Sequence, residues 1–137
     1  MSFDIMLACF RDGEPHPIDR KLFETIFLAH NQRAKKGGSN PDDVYVEYAD
    51  GSGGTIDCSG LADGSLSFDH CGGETFFANM VELADKTASV IFWVSEISPT
   101  VVTNEATLKH LPPDFIEGRP VRVVHNVDDI RKAIEES

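Results

Sequence analysis

The chain has 137 residues, of which 41% are hydrophobic and 26% are charged, a composition typical of one soluble globular domain. Its formal net charge of −11 argues against binding to nucleic acid or to an anionic membrane, because clustered Lys and Arg are needed to bind phosphate groups. No apolar run approaches the ~20 residues that a membrane-spanning helix needs. We therefore expect a soluble protein without a nucleic-acid or membrane partner.

The first segment alternates with apolar residues on both faces, which predicts a buried strand over residues 3–10. Asp4 interrupts this segment and no basic region precedes it, so a signal peptide is not expected. The three cysteines, Cys9, Cys58 and Cys71, form an odd and sparse set. Together these features favour reduced thiols, no disulfide framework and a cytoplasmic location.

A helix is predicted over residues 17–30 from apolar residues at helical spacing, with Pro17 as its first residue. The following segment, 31–43, contains Gly37-Gly38 and Asn40-Pro41 and has almost no side chain to bury. It is therefore predicted to be a loop.

Three short strands are predicted next, over residues 44–50, 55–59 and 66–70, with glycine-containing turns between them. Between Lys36 and Lys86 the chain contains neither Lys nor Arg, so the only formally charged side chains of these hairpins are carboxylates. We call residues 42–69 the acidic meander. A run of like charge is most often a solvated surface, and a surface that attracts a basic protein is the functional interpretation.

The best-patterned part of the chain follows, with an amphipathic helix over 74–87 and an unbroken apolar strand over 90–94. A short helix over 104–111 capped by its first residue, a strand over 121–125 and a helix over 128–136 complete the chain. We expect strand 121–125 to pair with strand 90–94, because an apolar strand should not form an exposed edge.

The order of these elements predicts the fold class. Strand, helix, meander, helix and strand match a βαββαβ arrangement. We therefore predict one α+β domain over 1–137, with a ferredoxin-like sheet, both helices on one face, and a C-terminal strand–helix extension.

Asp69, His70 and Cys71 form the only cluster whose residue types could do chemistry. A cysteine near a helix N-terminus with an adjacent imidazole can become a thiolate nucleophile. Neighbours in a strand point to opposite faces, however, so His70 and Cys71 should not touch, and Asp69 on the face of Cys71 would oppose thiolate formation. A free cysteine more commonly serves as a small, buried hydrophobic residue.

No motif in the chain predicts a metal or a cofactor. The five histidines lack the spacing of metal ligands, and no G-x-S-x-G sequence is present. The glycine-rich turn at 51–54 is not followed by the Lys of a phosphate-binding loop. We expect neither a metal site nor a cofactor.

Three short segments resemble a group of small bacterial proteins of uncharacterised function. They are MSFDIM at 1–6, VELA at 81–84 and HLP at 110–112. The resemblance implies a bacterial cytosolic protein and supplies no catalytic residues.

Two functional hypotheses follow, of which the first is a non-enzymatic module, such as an inhibitor or an immunity-type protein, that binds a basic protein partner. The expected binding residues are Asp42, Asp43, Glu47, Asp50, Asp57 and Asp63. The alternative is a small enzyme or ligand-binding protein with a pocket near Asp69, His70 and Cys71, to which His125 could contribute. A homodimer formed through the edge of the meander is a further possibility.

Overall fold

The computed structural model describes residues 4–32, 35–36 and 42–137, with backbone alone at 35–36. The strands are β1 (Ile5–Arg11), β2 (Glu14–Pro15), β3 (Lys35–Lys36), β4 (Asp43–Glu47), β5 (Gly53–Asp57), β6 (Ser65–Gly72), β7 (Ser89–Trp93), β8 (Thr100–Val102) and β9 (Val121–Val123). The helices are α1 (Arg20–Phe27), α2 (Glu74–Thr87) and α3 (Val127–Glu135), and short 3-10 helices span Leu61–Asp63, Glu105–His110 and Pro113–Phe115.

The strands form one mostly antiparallel sheet in the order β3-β4-β5-β6-β1-β7-β8-β9, and β2 pairs with β1. Only the β8–β9 pair is parallel among the described strands. This architecture confirms the predicted α+β class. No helix in the described part of the chain is long and apolar enough to cross a membrane.

One face of the sheet, which we call the helix face, packs against all three helices. Its buried cluster joins strand residues such as Ile56 and Phe68 to Phe27 of α1, Phe76 of α2 and Ile130 of α3. The rings of Phe27, Phe68 and Phe76 lie 5.5–5.7 Å apart between centroids. These edge-to-face and stacked contacts connect α1 and α2 to the centre of the sheet.

The opposite face, which we call the second face, is apolar on one half. There Ala8, Val90 and Val102 are buried beneath the 3-10 segments, which contribute Leu111 and Phe115. A satellite core of this kind forms where a loop covers apolar strand residues. The other half of the second face, over β4, β5 and β6, contains the candidate site.

Several boundaries differ from the sequence predictions. Helix α1 begins at Arg20, because Asp19 is its N-cap and accepts a hydrogen bond from the backbone N–H of Lys21 at 3.0 Å. Pro17 and Ile18 precede the helix, and the N–H of Ile18 donates instead to the carbonyl of Leu61. The prediction of Pro17 as the first helical residue was therefore wrong.

The predicted partner of strand 90–94 was also wrong. Strand β8, which the sequence analysis missed, lies between β7 and β9 and pairs Ile91 with Val101. Strand β8 has only three residues, directly after Pro99, and three residues are too few for an alternating pattern to predict a strand. Strand β9 pairs with β8 and is the last strand of the path.

Other predictions are confirmed or lie outside the described residues. Helices α2 and α3 occupy the predicted segments, and Asn104 caps the 3-10 helix Glu105–His110 by accepting from the N–H of Ala106. The prediction of a loop over 31–43 was wrong in part, because the short strand β3, paired with β4, lies within it and Asp43 is the first residue of β4. Its residues 33–34 and 37–41, and the start of the first strand at residue 3, lie outside the described part.

Candidate functional site

Carboxylates converge on the second face over β4, β5 and β6. Strand register places Asp43 directly opposite Asp57, and Thr55 opposite Asp69, so the side chains of each pair point to the same side of the sheet. A hollow of about 230 Å³ lies between them. We call this feature the acidic hollow; it is lined by Asp4, Asp43, Thr55, Asp57, Ser67 and Asp69.

Like charges crowd together in the acidic hollow. Partial burial raises the pKa of Asp43, and the neighbouring charges of Asp57, Asp69 and Asp42 raise it further. One carboxylate oxygen of Asp69, Oδ1, is buried and has no hydrogen-bond partner, although His70 Nδ1 lies 3.4 Å from it. Opposed like charges on neighbouring strands are destabilising, and a cation placed among them would relieve the repulsion.

Across the residues that the structure describes, no three His, Cys, Asp or Glu side chains are arranged to hold a metal ion. The carboxylates instead form a negative surface over two hydroxyl groups, those of Thr55 and Ser67. Such a surface matches organic cations that bring their own hydrogen-bond donors, such as the side chains of Lys and Arg.

The predicted binding residues divide into two groups. Asp43 and Asp57 line the hollow, whereas Asp42, Glu47, Asp50 and Asp63 do not. Asp42 lies beside it in sequence and acts on Asp43 through its charge. Asp63 is exposed in the 3-10 helix Leu61–Asp63.

The sequence analysis did not include Asp4 and Asp69 among the binding residues, yet both line the hollow. Alternation along the strands was the signal that could have found them. Asp4 lies two residues before Met6, which pairs with Ser67, and Asp69 lies two residues after Ser67. Residues two apart in a strand share a face, so these carboxylates belong to one surface.

Asp50 has a structural role at the start of α2. Its Oδ2 accepts hydrogen bonds from the backbone N–H and the hydroxyl of Thr75, at 3.1 and 2.8 Å. Its Oδ1 accepts from the N–H and the hydroxyl of Ser52, whose own oxygen accepts from the N–H of Phe76. The N-cap residue of α2 is Gly73, which has no side chain to accept these hydrogen bonds. The turn between β4 and β5 therefore caps α2 instead.

We expect the stability of the Asp50→Asn variant to fall less at acidic pH than the stability of the unmodified protein. Hydrogen bonds from Ser52 and Thr75 hold the pKa of Asp50 well below its usual range. A lowered folded-state pKa gives stability that is fully present above the unfolded pKa of about 3.9, and that is lost as the pH falls towards the folded value. Urea unfolding midpoints measured from neutral pH down to about pH 2.5 should therefore fall further for the unmodified protein than for the variant.

Asp63→Asn is the matched control for this measurement, because it removes the same charge from an exposed position. It should retain the acid dependence of the unmodified protein. Parallel curves for Asp50→Asn and the unmodified protein would show that the cap does not depend on the charge of Asp50.

Asp69, His70 and Cys71 are separated by the backbone. His70 has a left-handed conformation, with φ at 48°, and the pairing of β5 with β6 shifts register there. Asp69 consequently lines the acidic hollow, whereas Cys71 packs against the core of the helix face, where Gly54 leaves room for its Cβ. The expectation that Asp69 and Cys71 share a face was therefore wrong.

The environment of Cys71 opposes a nucleophilic role. Burial raises the pKa of the thiol to about 11, and the nearby charges of Asp69 and Asp4 add to the increase. The thiol is therefore protonated at neutral pH. The imidazole of His70 is 75% exposed, and His125 lines a separate groove that none of these three residues lines.

Comparison of the chain with protein families, with curated proteins and with solved structures gave no match. The resemblance to small bacterial proteins therefore remains an expectation, and the function has to be inferred from the geometry of the site.

Proposed function

We propose that this chain is a non-enzymatic interaction module that binds a basic protein through the acidic hollow. The observation that supports the proposal most directly is the cross-strand pair of Asp43 and Asp57, with Asp69 and Asp4 around the same hollow. Four carboxylates on one concave surface form a site that is complementary to a Lys or Arg side chain of the partner.

The energetics favour a cationic side chain over water in the hollow. Asp43 already bears part of the cost of desolvation and of the repulsion from Asp57, as the direction of its pKa shift indicates. An incoming guanidinium or ammonium group would remove the repulsion and supply hydrogen-bond donors to the carboxylate oxygens. The overall charge of −11 would also accelerate the approach of a basic partner at low ionic strength.

The proposal includes a ferredoxin-like core. Strands β5, β6, β1 and β7 are neighbours in that order, and α2 connects β6 to β7 across β1. This supports a βαββαβ unit extended at one edge by β4 and β3 and at the other by β8 and β9. A bacterial cytoplasmic protein of the inhibitor or immunity type is the biological role that we propose for it, with a basic enzyme as the partner.

The test compares two double variants with the same net charge. Asp43→Asn/Asp57→Asn removes two charges from the hollow, and Asp63→Asn/Asp114→Asn removes two exposed charges that do not line it. Asparagine at position 57 can still accept the hydrogen bonds from Ser59 that the aspartate accepts. Each protein is immobilised and used to capture partners from host lysate at about 50 mM and about 500 mM NaCl, conditions that differ several-fold in screening length.

We expect a basic protein to be captured at low salt by the unmodified chain and by the Asp63/Asp114 control. The Asp43/Asp57 variant should bind the purified partner about tenfold or more weakly. Equal affinity for the two double variants, or binding that is insensitive to salt, would contradict the proposal. Sedimentation of the free protein provides a separate test of the homodimer, which the Asp43/Asp57 change should not affect.

A further inference from the structure

A second concave region lies on the other side of the sheet, between α2 and the segment that joins β9 to α3. Its volume is about 410 Å³, within the range of about 300–1,000 Å³ that small-molecule sites occupy. The acidic hollow, at about 230 Å³, is below that range. We call this region the α2–α3 groove; it is lined by Ala78, Val81, Glu82, Asp85, Val124 and His125, with Thr103, Asn126 and Val127 at its margin.

The topology explains why a groove forms here. Strands β8 and β9 are parallel, so their carboxyl ends meet at one edge of the sheet, and Thr103 and Val124 directly follow them. The chain then turns into α3, which packs beside α2 through Ile130 and Ala133 in the common core. A crevice outside the carboxyl ends of neighbouring parallel strands is the usual position of ligand sites in open sheets with parallel strands.

The groove has an apolar part and a carboxylate that lacks a cationic partner. Val81 and Val124 form an apolar floor beneath the groove and are themselves buried, at 8% and 1% exposed. Asp85 is exposed, and its Oδ1 accepts a hydrogen bond from the Thr103 hydroxyl at 2.9 Å, which fixes the orientation of the carboxylate. Glu82 pairs with Lys86 at 3.3 Å, whereas no Lys, Arg or His of the described residues forms an ion pair with Asp85.

We propose that the α2–α3 groove binds a small molecule with a primary alkylammonium group, its cationic head against Asp85 and its hydrocarbon part against Val81 and Val124. The Thr103 hydroxyl occupies one acceptor position of Asp85 and leaves the other oxygen to accept from the ammonium group. A carboxylate ligand would be repelled by Asp85, and an uncharged alcohol would leave this carboxylate without a charge partner.

The site is independent of the proposed function. The lining residues of the α2–α3 groove and those of the acidic hollow do not overlap, and the groove lies against α2 and α3 on the helix face. Loss of binding at one site therefore need not affect the other. Experiments on the two sites can fail separately.

The test uses n-butylammonium as the probe and follows the backbone amide resonances of the ¹⁵N-labelled protein at neutral pH and low salt. We expect saturable shifts at residues 78–85, 103 and 124–127, with a dissociation constant in the millimolar range for a ligand of about five non-hydrogen atoms. The same concentrations of n-butanol and of butyrate should not give these shifts. In the Asp43→Asn/Asp57→Asn variant the groove residues should shift as they do in the unmodified protein, whereas any shifts around the acidic hollow, which also matches an ammonium group, should be lost.

Two variants of the groove test the assignment. Asp85→Asn keeps an acceptor for the Thr103 hydroxyl but removes the charge, and it should weaken binding about tenfold or more. Ala78→Trp places a large ring from the exposed surface of α2 into the groove and should abolish binding while α2 remains folded. Glu74→Gln is the matched control, because it removes a charge from the first turn of the same helix, outside the groove.

The outcomes distinguish binding in the groove from binding elsewhere on the chain. Absence of saturable shifts, equal shifts with n-butanol, or unchanged affinity in Asp85→Asn would overturn the proposal. Shifts centred on Asp43, Asp57 and Asp69 that disappear in the Asp43/Asp57 variant, without shifts at residues 78–85, 103 and 124–127, would assign the ammonium ion to the acidic hollow alone, which would also overturn the proposal.

Discussion

Gly73→Ala is expected to lower the free energy of unfolding by at least about 3 kcal/mol, a large part of the roughly 5–15 kcal/mol typical of a domain. Gly73 has φ 97° and ψ 163°, a conformation that is essentially restricted to glycine. An added Cβ would also collide with the Cα and Cβ of Ser52. Because Ser52 supplies an acceptor to the N–H of Phe76, its displacement would remove part of the cap of α2.

The neighbouring residue provides a matched control for this variant. A Cβ added at Gly72 meets no atom within 4 Å, and the φ of Gly72 is not in the left-handed region. Gly72→Ala should therefore change the free energy of unfolding by less than about 1 kcal/mol. Thermal unfolding followed by circular dichroism should show a decrease of about 10 °C or more for Gly73→Ala alone. Equal midpoints for the two variants would contradict the proposed role of Gly73.

Phe76→Ala is expected to cost about 3–5 kcal/mol. Phe76 is fully buried, and its ring meets those of Phe27 and Phe68 at 5.5 and 5.6 Å, so truncation leaves a cavity where α1, α2 and the sheet meet. Denaturant unfolding with linear extrapolation measures this loss. Phe76→Leu, which refills part of the space, should cost distinctly less than Phe76→Ala.

The control for the core variant is an apolar side chain that directly follows β7 and lies in solvent. Val94 is 82% exposed, so Val94→Ala should stay within about 0.5 kcal/mol of the unmodified protein. A loss below about 1.5 kcal/mol for Phe76→Ala would mean that the aromatic cluster is not the centre of the core.

The elements that the sequence predicted well are those whose burial pattern is long and regular. Helix α2 has a broad apolar face, and strand β7 lies in a continuous apolar run. The bounds of both elements agree with the prediction to within one residue. Strand β8 could not be predicted, because three buried residues contain no measurable period. The start of α1 was predicted too early, because the cap hydrogen bond from the N–H of Lys21 to Asp19 cannot be read from the spacing of apolar residues.

The candidate site was predictable only in outline. The absence of basic residues from 37 to 85 indicated an acidic surface, but charge alone could not separate Asp43 and Asp57, which meet across strands, from Asp50, which caps a helix 25 residues away. That distinction depends on register and on a long-range hydrogen bond. Asp69 and Cys71 lie on different sides of the sheet because the backbone at His70 is left-handed, which the alternation of the predicted strand did not indicate.

The repulsion between Asp43 and Asp57 also makes the folding equilibrium of this protein a detector of the proposed partner. A ligand that binds the folded chain and not the unfolded one raises the unfolding temperature by mass action. A cationic ligand in the acidic hollow would also remove the repulsion between Asp43 and Asp57, which destabilises the folded state of the free protein. Cationic ligands can therefore be found by their effect on melting, before any partner has been identified.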